Sequence, residues 1–200
     1  MADLTSLFAT NIYRDRLAPA LIADVAKACR AIAAADKAGQ AWAKAHGYRG
    51  YTSYASLNDL PRRDPAFADL AKALDAHARA FAKALFLDVG RRKLALDSIW
   101  INVLEPGGGH SGHIHPHSVL SGTLYVETPP GASPLKFEDP RLPLMMAAPP
   151  RSEDAPLEAR NFFYVQPQAG DVVMWESFLR HEALANGAKK LRVSVSFNYA

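Results

Sequence analysis

Residues 191–199 read Leu191-Arg192-Val193-Ser194-Val195-Ser196-Phe197-Asn198-Tyr199, which is the clearest strand pattern in the chain. Apolar and polar side chains alternate without a break, and successive side chains of a strand point to opposite faces of a sheet. One face of this strand is therefore apolar and the other is polar. A sheet built from such strands needs helices over its apolar face and can line a wet cavity with its polar face.

Three further segments have strand patterns, and turns rich in glycine and proline lie between them. They are residues 98–104, 121–128 and 171–175. Short strands joined by such turns favour a jelly-roll or barrel-like double sheet. Residues 129–156 hold eight of the fourteen prolines. A connection of this length is typical of a functional lid or binding loop, and a disordered surface insertion is the alternative.

The amino-terminal part of the chain has mainly helical patterns. Asp64 and Pro65 are residue types preferred at the N-cap and at the first position of a helix. The predicted elements are a strand over residues 7–13 and helices over residues 20–35, over residues 41–46 and from Pro65 onward.

These patterns together predict a mostly β protein with N-terminal helices, of the α+β class. We expect one domain over residues 1–200, in which residues 1–93 form a mainly helical cover. Residues 94–200 would form the jelly-roll core, with residues 129–156 as a proline-rich insertion.

Composition excludes several classes of function. The net charge of +3 is spread over the chain without a basic block, which argues against nucleic acid as a partner. The amino terminus has no apolar run long enough for a signal or membrane segment. Cys29 is the single cysteine, so an internal disulfide is impossible. We expect a cytoplasmic protein that does not bind membranes.

Histidines are concentrated in one stretch, residues 109–117, which holds four of the seven. In an extended strand His113 and His115 point to the same side and can share one metal ion. Iron or zinc bound by these two needs a third protein ligand. The remaining histidine of the strand-rich half is His181, which makes it the candidate.

An arginine follows the candidate ligand on the polar face of the last strand. A buried Arg192 on a pocket wall would need an anion, because it stays charged and its planar fork suits a carboxylate. A metal with open coordination positions beside such an arginine is a site for a chelating dicarboxylate or oxo acid.

Four motifs in this order carry a family resemblance. They are HxHPxSxLSGxxYV at residues 113–126, FEDPR at 137–141, AGDVxxWESxLxHE at 169–182 and RxSxSFNY at 192–199. The set resembles the Fe(II)- and 2-oxoglutarate-dependent oxygenases, and specifically a bacterial branch of them.

The resemblance implies a double-stranded β-helix, which is a cupin-like jelly roll, with Fe(II) held by His113, His115 and His181. It implies that Arg192 pairs with the distal carboxylate of the cosubstrate 2-oxoglutarate. Such an enzyme would couple oxidative decarboxylation of 2-oxoglutarate to hydroxylation by O2 of a small molecule or a protein side chain. Three polar-face residues are expected as further cosubstrate contacts: Asn102, Tyr125 and Ser194.

One position departs from the family pattern. The usual triad has an aspartate or glutamate where this chain has His115. Three neutral ligands would leave the metal site one charge unit more positive, which favours a dianionic chelator. Carboxylates that remain alternative ligands are Glu105, Glu138 and Glu176.

Other interpretations stay open at this point. The chain could be a three-histidine cupin-like dioxygenase without 2-oxoglutarate, in which Arg192 binds the substrate's own carboxylate. It could also be a metal-binding jelly-roll module without catalysis. Arg141 is either an anion clamp or the partner of Glu138 or Asp139. His110 and His117 are interpreted as surface residues or as neighbours of the ligands.

Overall fold

The structure is a computed structural model that describes residues 3–90 and 93–200. Two antiparallel sheets pack against each other, and helices cover the outer face of the larger sheet. The strands are β1 (Ile12–Arg16), β2 (Gly50–Thr52), β3 (Leu96–Leu104), β4 (His110–His113), β5 (Leu120–Glu127), β6 (Leu135–Glu138), β7 (Phe162–Val165), β8 (Asp171–Glu176), β9 (His181–Ala183) and β10 (Arg192–Tyr199). The helices are α1 (Pro19–Ala35), α2 (Lys37–Ala45), α3 (Leu60–Arg63) and α4 (Pro65–Ala84).

Strand β10 is central to the larger sheet, whose order is β1-β8-β5-β10-β3-β2. It pairs on one side with β3, where Val195 lies opposite Ile101, and on the other side with β5, where Val195 lies opposite Leu124. The smaller sheet has the order β4-β9-β6-β7. Two antiparallel sheets of this kind with helices on one side match the predicted jelly-roll core and its helical cover.

The apolar face of β10 lies in the main hydrophobic core, as the alternation predicts. Val195 and Phe197 are fully buried there, together with Phe67 and Leu70 of α4. Complete burial of such a side chain contributes about 1.5–3 kcal/mol. The same core contains Val25 of α1, so both long helices are fixed to the sheet by apolar contact.

The start of α4 follows its sequence signals. The side chain of Asp64 accepts a hydrogen bond from the backbone N–H of Ala66 at 2.8 Å, and Pro65 occupies the first turn. The cap satisfies one backbone N–H that has no partner within the helix. Helix α3, which directly precedes this cap, was not among the predicted elements.

A network of hydrogen bonds around Asp36 connects the helices to β2 and to the segment that follows it. Its carboxylate accepts from the backbone N–H of Gly39 at 3.0 Å and from the hydroxyls of Tyr51, at 2.9 Å, and Ser56. Burial opposes the charged carboxylate, but these hydrogen bonds outweigh burial and lower the pKa of Asp36. The contacts hold the segment that carries Thr52 and Tyr54 against the sheet.

Two segments differ from their predictions. The predicted strand over residues 7–13 starts only at Ile12, because only residues from there on pair with β8. Residues 129–156 include β6, which pairs with both β7 and β9, so this proline-rich stretch contributes a strand to the smaller sheet as well as connecting loops. Residues on either side of β6 contain the prolines, which cannot donate to a strand ladder.

Cys29 is buried, and burial raises the pKa of its thiol to about 12. None of the helices within the described ranges has the length and hydropathy that crossing a membrane would require.

Gly122 on β5 is closely packed within the larger sheet. A Cβ atom there would lie 2.5 Å from the ring of Phe197 and 2.9 Å from the carbonyl oxygen of Val173. Both neighbours are held in the core, so we expect Gly122→Ala to reduce the free energy of unfolding by about 1–3 kcal/mol. Urea denaturation followed by circular dichroism measures the change.

Gly112→Ala is the matched control. The atoms nearest to its added Cβ would be those at the end of the Arg180 side chain, the closest at 2.9 Å, and that end can move. We expect little loss of stability. Equal destabilisation by both substitutions would contradict the packing argument for Gly122.

Candidate functional site

Three histidines converge at one end of the cavity between the sheets. One ring nitrogen each of His113, His115 and His181 lies within 4.8 Å of the other two. His113 ends β4 and pairs directly with His181 of β9. His115 lies beyond the end of β4 and is held by a hydrogen bond from its backbone N–H to the carbonyl of Ser177, at 3.0 Å.

This arrangement differs from the expected one in a single respect. The sequence predicts His113 and His115 on the same face of one strand, whereas the strand ends at His113. The two rings nevertheless stack, with centroids 5.2 Å apart and an interplanar angle of 18°. Turn residues after the strand therefore place His115, and the result for the two rings is the one that alternation predicts.

Each of the three imidazoles has an acceptor for its Nδ1 hydrogen. A neutral imidazole that donates from Nδ1 keeps the lone pair on Nε2, and that atom is then free to bind a metal. The acceptors are the backbone carbonyls of Ser111 and Leu179 and the side-chain Oδ1 of Asn198, at 2.7, 3.0 and 2.5 Å from His113, His181 and His115.

Burial disfavours the charged form of two of these histidines. It lowers the pKa of His181 to about 3 and also lowers the pKa of His115. A ligand that is already neutral need not lose a proton before it binds a metal. The donor set therefore fits a divalent transition metal with open coordination positions.

Within the described ranges, no carboxylate joins this cluster of ligand atoms. Glu138 forms an ion pair with Arg180 at 3.5 Å, and Glu105 is exposed in the turn after β3. Burial raises the pKa of Glu176, which lies outside the cluster. The structure thus brings together three imidazoles and none of the three alternative carboxylates.

Arg192 lines the same cavity, whose volume is about 860 Å³. It is only 3% exposed, and its Nη1 donates to the hydroxyl of Ser133 at 3.3 Å. In residues 3–90 and 93–200, no carboxylate lies within ion-pair distance of its guanidinium. Among these residues, Arg192 therefore does not form an ion pair with a carboxylate of the protein.

The surroundings of Arg192 also leave polar atoms without partners. The guanidinium lies 5.1 Å from the centre of the Tyr125 ring. Its Nε and the Tyr125 hydroxyl are both buried and have no hydrogen-bond partner among the described residues. A buried charge without a counter-ion is costly, and the oxygens of a bound anion would satisfy it. These residues fit a dicarboxylate such as 2-oxoglutarate.

The other two predicted cosubstrate contacts, Asn102 and Ser194, also line the cavity. Asn102 accepts a hydrogen bond from the hydroxyl of Thr52 and donates one to Ser196, each at 3.0 Å. Its amide therefore has one hydrogen left for a ligand. Ser194 is 5% exposed and lies on the cavity face of β10, next along that face to Arg192.

One pair in the cavity was not recognised from the sequence. The hydroxyl of Tyr48 and Nε2 of His110 are 2.5 Å apart, and both residues line the cavity. Burial lowers the pKa of His110 to about 4, so this histidine is neutral and adds no charge near Arg192. His117, by contrast, is exposed at the cavity mouth.

Aromatic side chains form another part of the wall. Trp100 contacts the edge of Tyr54, with ring centroids 5.2 Å apart, and its ring centroid lies 6.0 Å from that of His115. Trp175 is 4.5 Å from His181 between ring centroids. Both tryptophans are buried, and both also line the cavity.

Arg141 is paired within its own loop. Its Nε and Nη2 donate to the two carboxylate oxygens of Asp139 at 3.0 and 2.8 Å. These bonds lower the pKa of Asp139. Of the two interpretations for Arg141, the ion pair with Asp139 is the one present.

Several solved structures are similar to this chain. A prolyl-4-hydroxylase from Pseudomonas putida is 17% identical, with a TM-score of 0.58, and the match covers 94% of this chain and 92% of that one. HygX from Streptomyces hygroscopicus, solved with nickel and 2-oxoglutarate bound, is 15% identical with a TM-score of 0.61, covering 96% and 82%.

A third similar structure is the α-ketoglutarate-dependent epimerase SnoN from nogalamycin biosynthesis. It is 16% identical, with a TM-score of 0.65, and the match covers 95% of this chain and 76% of that one. At these identities the three likenesses establish a shared fold. A search of curated proteins finds no significant match.

A sequence profile gives the family itself. The profile described as "Putative 2OG-Fe(II) oxygenase" matches residues 98–198, which is just over half of the chain and includes the three histidines and Arg192. The chain therefore belongs to the 2OG-Fe(II) oxygenase family, with Fe(II) as its cofactor and 2-oxoglutarate as its cosubstrate.

Proposed function

We propose that this protein is a 2-oxoglutarate-dependent hydroxylase in which His113, His115 and His181 hold Fe(II). Arg192 pairs with the distal carboxylate of 2-oxoglutarate. The observation that carries this proposal is a buried arginine in the same cavity as three converging imidazoles, and in the part of the chain that the structure describes no carboxylate pairs with this arginine. A dianionic chelator would bind both the metal and Arg192.

When bound, Fe(II) and 2-oxoglutarate supply oxidative decarboxylation coupled to hydroxylation by O2. The protein positions the reactants. Arg192 and the hydroxyl of Tyr125 orient the distal carboxylate, and Ser194 and the remaining amide hydrogen of Asn102 offer further hydrogen bonds to the cosubstrate. Because all three metal ligands are neutral, the site retains the full charge of the metal, which favours a dianion.

The substrate would enter the cavity on the side of the metal ligands. At about 860 Å³ the cavity is larger than a short dicarboxylate fills. Its outer wall includes Tyr54, Trp100 and Ile114 near the metal ligands. These aromatic and aliphatic groups would exclude water from the reacting centre once a small molecule or a protein side chain covers the mouth.

The activity itself gives the first test. Anaerobic addition of Fe(II) and 2-oxoglutarate should produce a weak visible charge-transfer band, and admission of O2 should then produce succinate. Spectrophotometry and chromatographic detection of succinate measure the two results. Iron-loaded protein that gives neither band nor succinate would falsify the proposal. Oxygen consumption that does not depend on 2-oxoglutarate would favour the cupin-like dioxygenase.

Arg192→Met should weaken 2-oxoglutarate binding by about 10- to 100-fold, because hydrogen bonds to a charged group contribute about 1.5–3 kcal/mol. Metal affinity should change little. Calorimetric titration of the Mn(II)-loaded protein measures both constants. Arg180→Met is the control, since this arginine is half-exposed and pairs with Glu138. Unchanged cosubstrate affinity in Arg192→Met would contradict the assigned role.

Replacement of single histidines by alanine tests which of them bind the metal. We expect His113→Ala, His115→Ala and His181→Ala each to lose most metal affinity, because two imidazoles remain. His117→Ala should bind metal like the wild type, since its side chain is exposed. Co(II) titration followed by absorption measures the affinities. If His117→Ala also lost the metal, the ligand set would be wrong.

A further inference from the structure

The three imidazoles are fixed by two kinds of acceptor. Backbone carbonyls hold His113 and His181, and no substitution of a side chain removes a carbonyl. His115 alone depends on a side-chain amide, that of Asn198. The residue at position 198 therefore decides how the third imidazole is held.

Asn198 makes further hydrogen bonds with both atoms of its amide. Its Nδ2 donates to the hydroxyl of Ser98 at 3.0 Å, which leaves Oδ1 to face His115. The hydroxyl of Ser121 also donates to this Oδ1, at 2.8 Å, and contacts Ser177 at 2.7 Å. Asn198, Ser121 and Ser177 are all buried, and Asn198 also lines the cavity.

The orientation of this amide and metal binding are linked. If Oδ1 faces His115, Nδ1 carries the hydrogen and Nε2 has a free lone pair. With the amide reversed, Nδ1 would have to accept, and the hydrogen would move to Nε2, where it blocks a metal. The orientation present in the structure, with Oδ1 toward His115, is the one that leaves Nε2 free for a metal.

We infer that Asn198 is a positioning residue for His115, and that the charge of the side chain at position 198 sets how strongly His115 donates to the metal. This inference rests on the proposed metal set. A neutral amide is a weaker acceptor than a carboxylate, and a carboxylate bonded to a metal-bound histidine increases the basicity of that ligand. Position 198 is thus where negative charge can be added beside a triad that has none.

Two substitutions at this position test the inference. Asn198→Ala removes the acceptor and should weaken Co(II) binding by about 10- to 100-fold, the range found when such partners of metal-bound histidines are lost. Asn198→Asp keeps an acceptor and adds charge, so it should bind Co(II) at least as tightly as the wild type. The hydroxyls of Ser98 and Ser121 can both donate to the new carboxylate. The visible absorption of bound Co(II) should shift in Asn198→Asp.

Ser121 provides a second contact that must be controlled. Its hydroxyl lies 3.1 Å from Nδ1 of His115 and could accept when Asn198 is shortened. The double variant Asn198→Ala with Ser121→Ala should therefore bind Co(II) more weakly than Asn198→Ala alone. Equal affinity of the single and double variants below the wild type still supports Asn198 as the acceptor that matters.

A second buried asparagine provides a control variant. It shows whether an effect of Asn198→Ala on metal binding comes from positioning of His115 or from a general loss of stability. Asn186 donates to the backbone carbonyls of Leu104 and Lys190 at 3.1 and 3.0 Å and is 2% exposed. Asn186→Ala should lower the melting temperature of the metal-free protein without changing Co(II) affinity. All variants are compared at a temperature where circular dichroism shows them folded.

The outcomes distinguish a wrong role for Asn198 from a wrong set of metal ligands. Wild-type affinity in Asn198→Ala, or an equal loss in Asn198→Ala and Asn198→Asp, would overturn the role of Asn198 while the metal set stands. Wild-type protein that binds no Co(II) would contradict the metal set and, with it, this role.

Discussion

The structure depends on β10, which lies between β3 and β5. Both faces of this strand are covered by the rest of the protein. Its odd-numbered residues from Val193 onward lie in the core under the helices, while its even-numbered residues from Arg192 onward line the cavity. A shift by one residue would exchange the two sets and bury Arg192 among apolar side chains. The apolar core thus fixes the register that places the charged end of the site.

Charge is distributed unevenly along the cavity, and this explains much of its chemistry. Arg192 contributes a positive charge, and burial disfavours the charged forms of His115 and His181. A divalent ion and Arg192 together carry three positive charges, and no carboxylate is among the ligand atoms that the structure describes. A dianion therefore reduces repulsion between the metal and Arg192 in addition to making its own contacts.

Features that depend on local pattern were predictable from the sequence, and features that depend on distant pairing were not. The two faces of β10 follow from alternation, and the start of α4 follows from Asp64 and Pro65. The contact between Tyr48 and His110 joins residues 62 positions apart, and no local sequence pattern predicts it. The internal bonds of Asn102 were missed for the same reason, because Thr52 and Ser196 belong to neighbouring strands.

An irregularity in β4 explains why one short stretch supplies histidines to two parts of the cavity. Residues three apart in a regular strand point to opposite faces. The pairing of β4 with β9 shifts between His110, opposite Ala183, and His113, opposite His181, so three steps on β4 match two on β9. Such a bulge turns the strand. Both side chains consequently face the cavity, with His110 beside Tyr48 and His113 beside His181.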